Sequence, residues 1–416
     1  MLKRLHLLLA LFILTVNAAM AQITTSGISG KITSDGENVI GATVTATHQP
    51  SGTVYRAVTN IDGRYTIQGM RPGGPYKVDI SYIGYKDKVI KNLNLSLGET
   101  ENISCSLQED AHQLQEVVVS GKAGLAASRT GAATSMTAEQ INNMPSITHG
   151  IADVARLNPQ LTVTNSGNMS FAGVNNRYNN FMIDGAANND VFGLASSGNN
   201  GGQAGAQPVS METIEQIQVS VAPFDVRQSG FTGGAINAIT KSGTNQFHGS
   251  AYYYGYNQDL IGTKYPYLDG TGYAPKYQKQ TQYNMGVTLG GPIIKNKLFF
   301  FANYERTNKE YPNLYGVDSG NSKVNTEQAK DILTMLQKIA EKQGVNFNDY
   351  YSNQDIYTKS DKAGLKLDWN INEFNKFAIR WSLVKAEQLS GGGSASSLNS
   401  YGYSYPFKSN TNSFIA

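Results

Sequence analysis

The chain has 416 residues, enough for two or three domains, with 40% hydrophobic and only 16% charged residues and a formal net charge of +3. So small a charge, without any run of Lys or Arg, argues against a nucleic-acid-binding protein, and a mean hydropathy of −0.33 is low for a bundle of membrane helices. The 43 Gly and 24 Tyr against 12 Pro and 2 Trp point instead to β-structure, including barrels with aromatic girdles.

The N-terminus has the three parts of a secretory signal in order. Lys3 and Arg4 supply the charge, Leu5 to Val16 an apolar core too short to span as a helix, and Ala19-Met20-Ala21 the small-x-small site, predicting cleavage between Ala21 and Gln22. Beyond it no apolar run is long enough for a membrane helix, so insertion into a membrane requires a closed β-barrel, which alone besides helices satisfies the backbone in lipid. The single cysteine, Cys105, permits no intramolecular disulfide and alternates in phase with Ile103 and Leu107, on the inner face of a strand. The histidines beyond the signal (His48, His112, His149 and His248) are scattered, and no HExxH, paired Cys or carboxylate constellation accompanies them. The expectation is a protein that is not an enzyme and uses no cofactor or metal.

From Gly27 to Leu107, seven short alternating strands are punctuated by turns at Ser34-Asp35-Gly36, Asp62-Gly63 and Pro72-Gly73-Gly74, the pattern of a small β-sandwich. Asp62-Gly63 predicts a tight hairpin that puts Tyr65 and Ile67 on one face. The VIGATV opening, the DGRY turn and the PGGPYKVDISYIGY close resemble the carboxypeptidase regulatory-like domain, which is appended to proteins of many functions.

LQEVVVSG (114–121) is a short β-prone run with two open readings. It is either the last strand of the sandwich or an extended segment captured by a partner through strand addition, where main-chain hydrogen bonds supply affinity. The segment looks like a TonB box, which implies that the periplasmic C-terminal domain of TonB pairs with Glu116, Val117, Val118 and Val119 and pulls on the unit C-terminal to it.

That unit, extending to about residue 242, has a mixed α/β pattern. Thr137 with Gln140 forms a capping box for TAEQINNM, and Ile147, Ile151, Val154 and Leu157 recur at helical spacing before Pro159. Short strands are predicted in LTVTN, NMSFAG, NFMIDG, IEQIQVSV and GAINAIT, with Asp184-Gly185 as a turn. Asp184, Asn188 and Asp190 read as a polar loop network rather than a calcium loop, which carries more carboxylates. Ser196 to Gln207 reads as a mobile loop. The order helix, NPQLTV, FAG, FMIDG, IEQIQV, GFTGGAINAIT resembles the plug of TonB-dependent receptors, although Phe171-Ala172-Gly173 lacks the usual Arg before the Gly. The blocks FAGVNNRYNNFMIDGAANNDVFGL and VAPFDVRQSGFTGGAINAITKSGTN resemble the Oar-like receptors of Bacteroidetes type.

From Gln246 the alternation turns membrane-like. Tyr283, Met285, Val287 and Leu289 oppose Gln282, Asn284 and Thr288; Ala363, Leu365, Leu367, Trp369 and Ile371 oppose Lys362, Lys366, Asp368 and Asn370; Phe377, Ile379, Trp381 and Leu383 oppose Lys376, Arg380 and Ser382. Short turns (GGPIIKN, NINEFN) alternate with long connections at 257–279, 307–359 and 388–409, as in outer-membrane barrels. The second long connection carries a helix with Ala329, Ile332, Leu333, Leu336 and Ile339 on one face and Gly344 at its end. Only five full strands and the start of a sixth fit before Ala416, against the roughly 22 of a plugged transporter, so the chain reads as the N-terminal portion of a longer receptor.

The expected fold is thus mainly β. After a signal peptide (1–21) come an Ig-like/prealbumin-like β-sandwich (22–110), a linker with the TonB box (111–121) and a mixed α/β plug (122–243). The last part is the first five or six antiparallel strands of an incomplete outer-membrane β-barrel (244–416). The resemblance implies residence in the outer membrane, contact with its lipid, and TonB-energised import of an extracellular ligand. Tyr-rich strands and Asn/Gly-rich loops suit an oligosaccharide or a peptide. A cell-surface binding or adhesion protein without transport is the alternative.

Overall fold

The computed structural model describes residues 24–109, 117–120, 132–146, 149–164, 169–190, 195, 197–221, 231–261, 279–313, 315–317, 324–346, 355–391, 399 and 404–416. The cleavage site at Ala21 and Gln22, Glu116 and Ile147 lie outside the described residues.

The first part is a sandwich. One sheet is centred on β1 (Ser26–Ser34), flanked by β2 (Glu37–Asn38) and β5 (Arg64–Met70), with β8 (Thr100–Asn102) and β9 (Cys105–Ser106) beside β1 in parallel. The other runs β10 (Val117–Ser120), β7 (Lys88–Leu95), β6 (Gly73–Ser81), β3 (Thr43–His48), β4 (Thr53–Val58). Strict alternation sends Val44, Ala46, Tyr76, Val78 and Ile80 into the space between the sheets, where they meet Ile28, Ile32, Tyr65 and Ile67, and Cys105 packs against this core as a partly buried side chain. Asp62-Gly63 does not close a hairpin. β4 and β5 belong to different sheets, so the turn carries the chain across the sandwich. Only Gly63 takes positive φ, while the Asn60 side chain accepts hydrogen bonds from the backbone of Asp62 and Arg64. Tyr65 and Ile67 nevertheless share the buried face. The two-residue positive-φ turn is Asp35-Gly36, between β1 and β2.

His48 lies beneath this core, with Nδ1 2.7 Å from the Ser51 hydroxyl and its ring 5.0 Å from that of Tyr76. Burial, aided by Arg71, lowers its pKa to about 3. An unfolded chain binds a proton near pH 6.5 that the native state refuses, so this contribution is complete above that pH and declines as pH falls toward the folded value. Sandwich unfolding in urea is therefore expected to lose about 2 kcal/mol between pH 7 and pH 5. A His48→Gln variant that shows the same slope would refute the assignment.

The plug sheet runs β11 (Ala132–Thr137), β16 (Ile214–Val221), β17 (Gly234–Thr240), β14 (Asn180–Ile183), β15 (Ala186–Ala187), with a separate hairpin of β12 (Leu161–Val163) and β13 (Met169–Phe171). Helix α1 (Ala138–Asn143) starts at the expected Thr137/Gln140 capping box. Helix α2 is only Ile151–Ala155, so Ile151 and Val154 are buried while Leu157, past its end, is 55% exposed, contrary to the periodic reading. β16 and β17 are buried along nearly their whole length, as central strands covered on both faces.

Six antiparallel strands follow in sequence order: β18 (His248–Asn257), β19 (Thr281–Ile294), β20 (Leu298–Tyr311), β21 (Ile356–Asn370), β22 (Lys376–Ser390) and β23 (Tyr405–Ile415). Helix α3 (Gln258–Ile261) follows β18, and α4 (Thr326–Lys342) sits in the long β20–β21 connection, ending at Gly344 with φ 69°. Met285, Val287, Leu289, Leu365, Trp369, Phe377 and Ile379 are exposed on one face, whereas Asn284, Glu305, Ser360, Lys362 and Arg380 are buried on the other. Apolar outside and polar inside is the barrel pattern, and the plug occupies the polar side.

The sandwich lies at the short-turn end. Pro50 O accepts from Asn245 N (2.8 Å), Thr53 Oγ1 from Asn370 Nδ2 (2.9 Å), and Arg56 pairs with Glu373 at 2.9 Å in the β21–β22 turn. Lys376 sits 3.6 Å above the Tyr55 ring.

Candidate plug–barrel coupling site

Two rows of inward-facing residues cross the barrel strands, and each is engaged by the plug, the first by Ser210 and the second by Asp184 and Thr240. The first follows the register Tyr252, Gly286, Glu305, Lys362 across β18 to β21. Gly286 leaves the space this needs, because a Cβ there would stand 2.5 Å from the Tyr252 hydroxyl and 2.6 Å from the backbone oxygen of Tyr304. The phenol therefore passes over β19 and donates to Glu305 Oε2 at 2.7 Å, where the Ser210 hydroxyl of the plug also donates. Lys362 donates to the other carboxylate oxygen at 2.5 Å. Both charged side chains are under a tenth exposed.

The second row, four residues along each strand, is His248, Gly290, Phe301, Lys366, Arg380. Lys366 and Arg380 are directly opposed, a repulsive placement that needs an anion between them. Asp184 of the plug supplies it, 3.5 Å from Lys366 Nζ and 3.2 Å from the Arg380 guanidinium. The turn geometry aims it there: Asp184 (φ 47°) and Gly185 (φ 81°) close the β14–β15 hairpin, and the carboxylate accepts from Thr240 N (2.8 Å) and Thr240 Oγ1 (2.7 Å) on β17. Burial opposes the charge, but Lys366, Arg380 and the Thr240 hydrogen bonds outweigh it and hold the carboxyl below the usual carboxylate range.

Asp184, Asn188 and Asp190 do not converge on one point. Asp184 faces the wall, whereas Asp190 accepts from the Ala195 backbone, and no metal-holding cluster occurs among the described residues. The Gly/Ser-rich segment read as a mobile loop is instead docked on the wall. Ala204 and Ala206 are buried against Val384, Ala386 and Phe407, because small side chains let the loop backbone approach β22 closely.

Toward the long connections, a polar cavity of about 350 Å³ separates the plug from β19 to β22. His149 Nε2, Ser197 Oγ, Asn284 Oδ1 and Thr307 Oγ1, all on its lining residues, are buried without a protein hydrogen-bond partner. Such groups are left for water or a polar ligand.

At the opposite end the plug is wired to the sandwich. Leu97 N donates to Gln216 Oε1 (2.6 Å), Leu97 O accepts from Gln218 Nε2 (3.0 Å), and the Leu97 side chain packs on Ile239. Val117, Val118 and Val119 lie in β10, paired in parallel with Lys88, Val89 and Ile90 of β7, so the backbone of this segment adds to the sandwich sheet. Sequence reasoning placed Lys362, Lys366 and Arg380 on the inner face but missed their counterions and missed Ser210, Tyr252, Gln216 and Gln218. The available signal was three cations facing inward on adjacent strands, which demands anions from inside the barrel.

Three family models match the chain. They are a carboxypeptidase regulatory-like domain over residues 27–108, a TonB-dependent receptor plug domain over 126–236 and an outer membrane beta barrel domain over 239–319. Among curated proteins, the TonB-dependent transporter Oar of Myxococcus xanthus is 29% identical over 273 residues, covering 63% of this chain and 24% of that protein. The probable TonB-dependent siderophore receptor PirA of Acinetobacter baumannii is 25% identical over 188 residues, 41% of this chain and 22% of that one. Thus the chain spans about a quarter of the length of these relatives. Of solved structures, the outer membrane transporter YddB from Escherichia coli is similar at 14% identity with a TM-score of 0.42, covering 63% of this chain and 34% of that one. The siderophore receptor PirA from Acinetobacter baumannii matches at 18% identity with a TM-score of 0.38, covering 68% and 44%. By the order of its matched domains and its likeness to Oar, this chain is an outer-membrane protein homologous to the TonB-dependent transporter Oar.

Proposed function

We propose that the chain is the plug and coupling portion of a TonB-dependent importer. The observation that carries this reading is the seating of the plug: Asp184 and Ser210 engage charged rows on the inner face of the barrel strands. A seated, hydrogen-bonded stopper favours gated transport over adhesion, which has no use for one. In this reading the C-terminal domain of TonB pairs with Glu116, Val117, Val118 and Val119 by strand addition, and the pull passes to β11 and the plug sheet. The exposed apolar face around Met285, Val287 and Trp369 meets the lipid of the outer membrane. Ligand enters from the long connections into the polar cavity lined by Asn284, Thr307 and His149. One curated relative is named as a probable siderophore receptor, so siderophores join oligosaccharides and peptides as the ligand classes to assay.

Val118→Pro tests the coupling role, since proline removes a main-chain donor from the strand. In cells making the full receptor that contains this chain, energised uptake is expected to fall to background while ligand binding at the cell surface is unchanged. Uptake at the wild-type rate would remove the coupling assignment.

A further inference from the structure

The plug–barrel contacts leave the sandwich without a role, and β10 supplies one. This strand is the last of its sheet: its Val117–Ser120 backbone pairs on one side with Lys88–Lys91 of β7, and among the described residues nothing pairs with its other side. A strand has two edges, and strand addition needs only one of them. We propose that the sandwich is a presenting platform, on which β10 stays paired with β7 while the edge strand of the periplasmic partner adds to its open side as a sixth strand of the sheet. The proposal rests on the coupling reading of this segment and specifies how the partner engages it.

Three features make the platform effective. A segment already held extended has given up its backbone freedom before the encounter, so less of the binding energy is spent on ordering it. The platform itself is anchored, through Pro50 and Asn245, Thr53 and Asn370, and Arg56 and Glu373, at the short-turn end of the barrel strands. Finally, β7 leads directly into Leu97, whose backbone is bonded to Gln216 and Gln218 of the central plug strand β16. A load taken up by β10 on β7 therefore reaches β16 through the sandwich as well as along the chain to β11.

The test uses the full chain in detergent and the purified C-terminal domain of TonB as probe. In a Cys105→Ala background, Lys91→Cys and Ser120→Cys place thiols on residues that are register partners, to be joined by a short thiol crosslinker. The crosslink is expected to form, and the joined protein to bind the probe with an affinity within about twofold of the unjoined one, because the open edge is untouched. Deleting residues 24–109 is expected to weaken binding about tenfold, by returning the ordering entropy to the binding step. Failure to crosslink, loss of binding on crosslinking, or full affinity without the sandwich would each overturn the platform. Failure of the coupling reading gives a different result: the uncrosslinked wild-type chain does not bind, or Val118→Pro binds as well as wild type.

Discussion

Replacing Lys362 by Met is expected to destabilise the plug–barrel unit by about 3–5 kcal/mol, the usual loss when one member of a buried ion pair is removed. Glu305 would keep its donors from Ser210 and Tyr252, but its carboxylate would remain in a site under a tenth exposed with no cation. Removing both charges, as Glu305→Gln with Lys362→Met, should recover most of that loss, since the pair's attraction largely offsets its own desolvation. A double-mutant cycle on denaturant unfolding in detergent measures the coupling, expected to exceed about 2 kcal/mol because the groups are in direct contact. Additive single and double losses would mean that the pair is not coupled.

The second large effect is expected for Asp184→Asn. The substitution preserves shape but replaces one of the two accepting oxygens by a donor, and it leaves Lys366 and Arg380 opposed across β21 and β22 with no anion, in positions about a tenth exposed. An expected loss of about 2–5 kcal/mol follows from uncompensated buried charge. It should appear locally first, as faster hydrogen exchange in β14, β15 and β17. The pH dependence distinguishes this from a packing defect. The folded carboxyl sits below its unfolded value, so its contribution is complete above the unfolded pKa of about 3.9 and is lost as pH falls through the lower, folded value. Wild type should therefore hold its plug unchanged down to about pH 5 and release it in stronger acid, whereas the Asn variant lacks that acid step. Identical acid profiles for the two proteins would refute the role given to Asp184.

These effects rest on contacts whose two halves were not equally visible in the chain. Lys362, Lys366 and Arg380 announce themselves as inward-facing cations, because period-two alternation fixes which face each occupies once Leu365, Trp369 and Ile379 are assigned outward. Asp184 announces itself as a turn residue, because two successive positive-φ positions favour Asp-Gly. Nothing local connects it to Lys366, 182 positions later. The same holds for Ser210 and Glu305 and for Leu97 and Gln216, each joined only when separately folded layers are stacked. The Asp62-Gly63 turn shows the converse limit: the dipeptide specifies a reversal, but which strands flank it depends on sheet assignment.

What the sequence by itself determined is whatever depends on neighbours a few residues away. This covers the class of each segment, the face of each strand, the Thr137/Gln140 cap, the Gly344 helix stop and the likeness of three consecutive stretches to known domains. Tertiary structure alone decided the pairing of β10 with β7, the docking of Ala204 and Ala206 on β22, and the carboxylate that neutralises each buried cation. The physical reason is range. Backbone propensity and side-chain periodicity act within one element, whereas a buried charge is satisfied by whichever partner the packed layers bring within a few ångströms.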